Sequence, residues 1–127
     1  AVLPGMRERD AGAIVVYTSG LATAGRAEAS AYAASKAALV PFAKSLAAEL
    51  AATRIRVNII APGVIDTPQF QAANPSGGER EHCARTTGIG TPDDVVGPLL
   101  FLLSEAATMT GSTLSRDRAY SARGAEG

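Results

Sequence analysis

Two short apolar runs set the strongest limit on the fold. They are residues 13–17 (Ala-Ile-Val-Val-Tyr) and residues 55–60 (Ile-Arg-Val-Asn-Ile-Ile). Both are strand length, and the second is rich in β-branched residues, which fit a pleated surface. The first is apolar at nearly every position, as expected of a strand covered on both faces in a parallel sheet. Between them, Leu39, Phe42, Leu46 and Leu50 recur near the helical period, which predicts a helix over 31–52. Two strands joined by a long helix imply parallel pairing through a right-handed crossover.

The remaining segments extend this alternation. Thr18-Ser19-Gly20 ends the first strand, and Ser30 offers an N-cap for the helix. Pro41 lies inside the helical pattern and predicts a kink or a local break, since it lacks a donor and clashes one turn back. Ala61-Pro62-Gly63 ends the second strand. Residues 67–90 are polar and punctuated by Pro68, Pro75, Gly77, Gly78, Gly88 and Gly90. They read as a long mobile loop, and loops of this length are commonly functional. Thr91-Pro92-Asp93-Asp94 opens a further helix: Thr91 is suited to cap, Pro92 to the first helical position, and the acids to the positive helix end. Val95, Leu99, Leu102 and Leu103 supply its core face, and Gly97-Pro98 strains its interior. Residues 111–115 read as a third strand, and the tail 120–127 as a frayed end. The order is strand, helix, strand, loop, helix, strand. It describes a single α/β domain over 1–127 with a three-stranded, half-sized sheet.

Composition narrows the classes of function. The 127 residues suit one domain, and 46% hydrophobic content is that of a globular chain. Twelve basic and twelve acidic residues cancel, and no basic stripe with interleaved aromatics points to nucleic acid. No apolar run is long enough to span a bilayer, and residues 1–7 lack the layout of a signal peptide. The single Cys83 allows no internal disulfide, which fits a reducing cytoplasm. A cytoplasmic location is the expectation.

The chemistry concentrates at Tyr32 and Lys36, in Ser30-Ala31-Tyr32-Ala33-Ala34-Ser35-Lys36. Residues i and i+4 share a helix face, so an ammonium sits beside a phenol. A neighbouring positive charge favours phenolate, which suits a tyrosine to proton transfer.

These residues and their neighbours resemble the C-terminal half of the short-chain dehydrogenase/reductases. Gly12-Ala13-Ile14-Val15-Val16-Tyr17-Thr18-Ser19 is similar to the family's strand that ends in the catalytic serine, and Ser19 precedes Tyr32 by the family's usual interval. Tyr32-Ala33-Ala34-Ser35-Lys36 resembles the active-site motif. Arg56-Val57-Asn58, then Ala61-Pro62-Gly63-Val64-Ile65-Asp66-Thr67, resembles the strand and turn beside the nicotinamide. Thr91-Pro92-Asp93-Asp94-Val95-Val96, Phe101-Leu102-Leu103-Ser104 and Thr110-Gly111 resemble the late helix and the start of the last strand.

The resemblance implies a Rossmann-like parallel sheet and an NAD(P)-dependent oxidoreductase that interconverts a carbonyl and an alcohol. It implies that Ser19 polarises the substrate oxygen, that Tyr32 is the acid/base, and that Lys36 favours the phenolate and holds the cofactor ribose. Tyr32, Lys36, Pro62, Gly63, Ile65 and Thr67 form the implied contacts with NAD or NADP, and Ile65 (through its backbone) and Thr67 meet the carboxamide. The substrate would be a small carbonyl or alcohol, with 67–90 shaping its pocket, and the assembly a homo-oligomer or a chain completed by an upstream segment.

Several features depart from the pattern. The sequence has no glycine-rich turn after a strand to cradle the cofactor phosphates, no Asn-Asn-Ala-Gly segment, and no counterpart of the usual tetrad asparagine, since Asn58 belongs to another strand. Arg116-Asp117-Arg118-Ala119 stands where the family commonly has Val-Asp-Gly-Gly. Arginines there are costly if buried unpaired, so they are expected to face solvent or to pair with Asp117 or a partner. The open inner edge of the sheet predicts a chain that is oligomeric or poorly stable alone.

Other classes fare worse. A serine hydrolase needs a base and a nucleophile elbow. Ser19 stands in Tyr-Thr-Ser-Gly, and the only histidine, His82, reads as a solvated residue. Glu81, His82 and Cys83 are adjacent, and adjacent residues rarely converge on one ion, so no metal is expected. The rival reading is a non-catalytic scaffold that keeps the 31–52 helix for oligomerisation.

Overall fold

In the computed structural model, residues 1–119 are described. The chain forms α1 (Leu3–Arg9), β1 (Gly12–Tyr17), α2 (Leu21–Ala24), α3 (Ser30–Glu49), β2 (Ile55–Ala61) and β3 (Val64–Ile65). It continues through α4 (Pro68–Ala73), α5 (Gly78–Arg85), β4 (Ile89–Gly90), α6 (Asp93–Leu103) and β5 (Thr113–Ser115). The main sheet has the order β1-β2-β5, and both pairings are parallel. Gly12 stands opposite Ile55 and Tyr17 opposite Ile60, so the two apolar runs lie side by side. The α/β architecture with parallel strands is therefore as read from the sequence.

Period-two alternation assigns the two faces of β2. Ile55, Val57 and Ile59 are almost fully buried against Ala43, Ala47 and Leu50 of α3 and its end. The other face meets α6, where the Arg56 guanidinium donates to the carbonyls of Leu102 and Ser104, both at 2.9 Å. Those carbonyls lie at the α6 C-terminus, where no intrahelical donor reaches them and a cation is favoured. Asn58 is buried on this strand, and both ends of its amide are engaged: it donates to the Met109 carbonyl at 2.9 Å and accepts from the Ser112 N–H at 3.1 Å. It ties β2 to the approach of β5, a structural role.

Several local expectations are corrected. The helix read over 31–52 is α3, Ser30–Glu49, and it runs unbroken through Pro41. Pro41 lies on the exposed side, and burial of Ala43 and Ala47 against the sheet outweighs its cost of about 3 kcal/mol. Ser30 is the first helical residue and makes no cap hydrogen bond. Thr91 does not cap α6. Its N–H instead donates to the Asp94 carboxylate at 2.7 Å, and Pro92 precedes the first helical residue, Asp93. The third strand is shorter than read, Thr113–Ser115. Residues 67–90 are not a structureless loop: they hold α4, α5 and β4, and β4 pairs in parallel with β3 in a second small sheet. Helix α1 was not anticipated. It carries Pro4 in its first turn, ends at Asp10 in the left-handed region, and packs Leu3 and Met6 on the core. The tail 120–127 lies outside the described residues.

The two arginines after β5 have separate partners. Arg116 meets the Asp94 carboxylate at 3.5 Å, and Arg118 donates to the Ala84 carbonyl at 3.3 Å. Neither pairing is with Asp117, and both tether the 84–94 stretch to the end of β5.

Candidate active site

Ser19 follows β1, and Gly63 follows β2, so both stand at the carboxyl ends of neighbouring parallel strands. Open α/β sheets bind ligands outside those ends. A cleft of about 270 Å³ opens there, lined by Ser19 and Gly20, Tyr32 from α3, Gly63, Val64 and Ile65 after β2, Phe70 and Asn74 around α4, Glu79 and Cys83 of α5, and Asp117 after β5. Four of the sequence-assigned residues therefore share one cleft: Ser19, Tyr32, Gly63 and Ile65.

Tyr32 is 51% exposed, so its phenol is open to a ligand. The Lys36 ammonium lies 6.0 Å from the centre of the Tyr32 ring, on the same face of α3, as the i, i+4 spacing requires. Lys36 itself does not line the cleft. The Ser19 hydroxyl accepts from the Leu21 N–H at 3.2 Å. That bond starts α2 and leaves the hydroxyl proton for another partner.

Thr18 was not singled out in the sequence, yet it joins the two halves of the site. It is buried, and its hydroxyl donates to the Lys36 carbonyl at 2.9 Å. The end of β1, which carries Ser19, is thereby fixed to the helix turn that carries Lys36. The available signal was weak: a hydroxyl residue beside the strand-end serine, with nothing to show that it faces inward.

Gly63 adopts φ +73°, and a Cβ there would collide with the Arg116 carbonyl. Only glycine lets the chain after β2 turn this close to the chain after β5. Pro62 is half-buried and outside the cleft. Thr67 lies in an adjoining hollow of about 450 Å³ that shares Tyr32 and Phe70 with the cleft. Its hydroxyl accepts from the Phe70 N–H at 3.1 Å and caps α4.

The far wall is held by charge. Asp66 accepts from Arg80 and from Gln71, both at 2.9 Å. The Arg80 hydrogen bond, then that of Gln71, holds its carboxyl below the usual 3.8. Arg26, before α3, pairs with Glu79 of α5 across the cleft. Glu81 and His82 face solvent while Cys83 turns inward, so the three do not converge. Burial, and then the charge of Glu79, push the Cys83 thiol upward, which suits an inert thiol and not a nucleophile. Among the described residues no helix is long and apolar enough to cross a membrane.

The fit to a nicotinamide cofactor is partial. Ser19 and Tyr32 bring two hydroxyl groups to the cleft, and Gly63, Val64 and Ile65 bring the segment that follows β2. No residues of the sequence supply the glycine-rich phosphate cradle.

Comparison with known proteins bears on this arrangement. Residues 1–121 match the family model described as enoyl-(acyl carrier protein) reductase. The 3-oxoacyl-[acyl-carrier-protein] reductase FabG of Vibrio harveyi is 39% identical over 120 residues, which cover 90% of this chain and 48% of that protein. Among solved structures, a short-chain dehydrogenase/reductase family oxidoreductase from Burkholderia thailandensis superposes with a TM-score of 0.85 at 36% identity, covering 95% of this chain and 49% of that one. ElxO, solved with NADP bound, gives 0.83 at 31% identity over 94% and 50%. The chain spans about half the length of the relatives it matches. With a parallel α/β sheet and a family match over nearly all of its length, the chain belongs to the short-chain dehydrogenase/reductase family.

Proposed function

We propose that this chain carries the substrate and nicotinamide half of an NAD(P)-dependent oxidoreductase that interconverts a carbonyl and an alcohol. The observation that supports it best is the shared cleft. Ser19 from a strand end and Tyr32 from a helix line one cavity beside the turn at Gly63, and the Lys36 ammonium lies 6.0 Å from the Tyr32 ring.

A bound nicotinamide would supply or accept the hydride. The chain's own residues handle the oxygen. In the reducing direction, the Ser19 hydroxyl donates to the carbonyl oxygen and stabilises the charge that develops there. The Tyr32 phenol gives its proton to that oxygen as the carbon is reduced, and Lys36 stabilises the phenolate left behind. Solvent then returns the proton, because Tyr32 is exposed. Oxidation of an alcohol runs the same transfers backwards, with Tyr32 as base. Lys36 would also hold the ribose of such a cofactor, the Ile65 backbone and Thr67 would serve its carboxamide, and Pro62 and Gly63 would shape the turn beside it. Thr67 contributes through its cap of α4, which positions Phe70. The open edge of β1, half-exposed although apolar, supports a homo-oligomer or an upstream segment as the completing partner.

Nicotinamide fluorescence, titrated with NADH and NADPH, tests the reading. Saturable binding is expected, weakened about tenfold by Lys36→Ala, the loss of one well-placed charged hydrogen bond. Tyr32→Phe should leave binding nearly intact while removing proton transfer. Absence of saturable binding to either cofactor sinks the reading for the chain by itself.

A further inference from the structure

We infer that Arg26 and Glu79 form a latch that holds α5 closed across the cleft, and that the cleft opens by breaking this pair. The device is independent of which ligand the cleft takes.

Arg26 precedes α3, which carries Tyr32, and Glu79 belongs to α5. Both line the cleft with Ser19 and Tyr32, and their side chains pair across it. Among the described residues this is the one ion pair that joins the 20–30 stretch to α5. The other ties of α5 lead back to the strand ends: Arg80 meets Asp66, and Arg118 donates to the Ala84 carbonyl. Breaking the latch therefore frees α5 on its cleft side and leaves it tethered on the other.

Both partners sit beside glycines in open space. Gly25, next to Arg26, has φ +67°, and Gly77, two residues before Glu79, has φ +74°. A Cβ at either position would meet nothing within 4 Å, so neither turn is packed in place. Such positions absorb the backbone rotation of a hinge. Helix α5 buries only Cys83, so little apolar contact opposes its movement. Cys83 is 5% exposed and donates its thiol to Glu79 at 3.7 Å, so its burial depends on α5 staying in place. The pair itself is open to water, with side chains 53% and 32% exposed. A pair of that kind shifts an equilibrium by about two- to fivefold, and salt screens it. It holds a wall closed without locking it.

Cys83 is the single cysteine of the chain, so its alkylation by iodoacetamide, a neutral probe, reads the open state. Where closing outpaces alkylation, the rate follows the population of the open form. The wild-type rate should be well below that of an exposed thiol, and should rise about threefold as NaCl goes from about 20 mM to about 500 mM. It should change little in low urea, since local opening exposes little surface. Arg26→Gln and Glu79→Gln should each raise the low-salt rate about threefold and lose the salt response. Arg26→Glu combined with Glu79→Arg should restore both. Burial, then the Glu79 charge, push the Cys83 thiol up, and Arg26 pulls it down. A purely electrostatic effect on the thiol would therefore slow the Arg26 variant and speed the Glu79 variant, whereas loss of the latch speeds both. A rate that is flat in salt and unmoved in both variants overturns the inference. So do opposite shifts in the two variants, or a urea dependence as steep as that of global unfolding. A wild-type thiol that reacts as fast as free cysteine, or not at all, also overturns it. The wild-type salt and urea series decides even where a variant fails to fold.

Discussion

The sheet framework and the cleft wall are held together by different physics. In the framework, Leu50, Val57 and Ile59 have no exposed surface, and α3 closes over them with Ala43 and Ala47. In the wall, α4 buries no residue and α5 buries only Cys83. The wall depends on Asp66 with Arg80, Arg26 with Glu79, Arg85 with Glu81 and Arg118 with the Ala84 carbonyl. Exposed ion pairs each contribute only about 0–1 kcal/mol and weaken with salt. Apolar burial contributes about 1.5–3 kcal/mol per large side chain and does not. The framework should therefore hold Ser19, Tyr32 and Lys36 rigidly, while the wall across the cleft opens more easily, an arrangement suited to admitting a substrate.

The sharpest way to break this contrast is to damage the framework. Ile59→Ala removes a fully buried side chain and should cost about 3 kcal/mol. Urea unfolding should show a lower midpoint, with wall and framework lost together. A wall that survives the loss of the sheet would refute the hierarchy.

The junction comes next. Gly63→Ala forces a Cβ onto a residue at φ +73° and against the Arg116 carbonyl. We expect about 2 kcal/mol of destabilisation, with amide protection falling first around 63–66 and 113–116. An unchanged protein would mean that the β2 and β5 ends do not approach as closely as described.

The smallest effect sharpens the contrast by pH. The Asp66 carboxyl is held below 3.8, first by Arg80 and then by Gln71. A group whose folded value is depressed stabilises the fold above its unfolded value, and that contribution is lost as pH falls through the folded value. Acid below 3.8 should thus loosen α4 and α5 in hydrogen exchange before β1 and β2. Asp66→Asn should abolish that early step and leave the framework's acid response unchanged. Simultaneous loss of both regions in wild type would remove the distinction.

Residues 67–90 show why the two regions were not equally legible. Their glycines and prolines read as a loop, yet Thr67 caps α4, Gly77 opens α5, and Asp66 ties both. Helices this short have little apolar periodicity to detect, and two of the pairs that hold them, Arg26 with Glu79 and Arg118 with the Ala84 carbonyl, join residues distant along the chain. Pro41 misled in the opposite sense, since a local rule lost to the packing of α3. The cap expected from Ser30 failed because the helix starts one residue early, a boundary that propensity alone does not resolve.

What the sequence determined is whatever local periodicity and spacing encode. The two apolar runs specified parallel strands, and the i, i+4 interval put Tyr32 and Lys36 on one helix face whatever the helix packed against. The position of Ser19 at a strand end followed from where the apolar run stops. Only the tertiary structure decided that Ser19, Tyr32, Gly63 and Asp117, from four separate segments, line a single cleft, and that Thr18 anchors the Lys36 turn. The physical reason is the range of the interactions. A helix face or strand face is set by covalent geometry within a few residues, whereas a cleft is set by which strand ends meet, and that depends on the burial of the whole sheet.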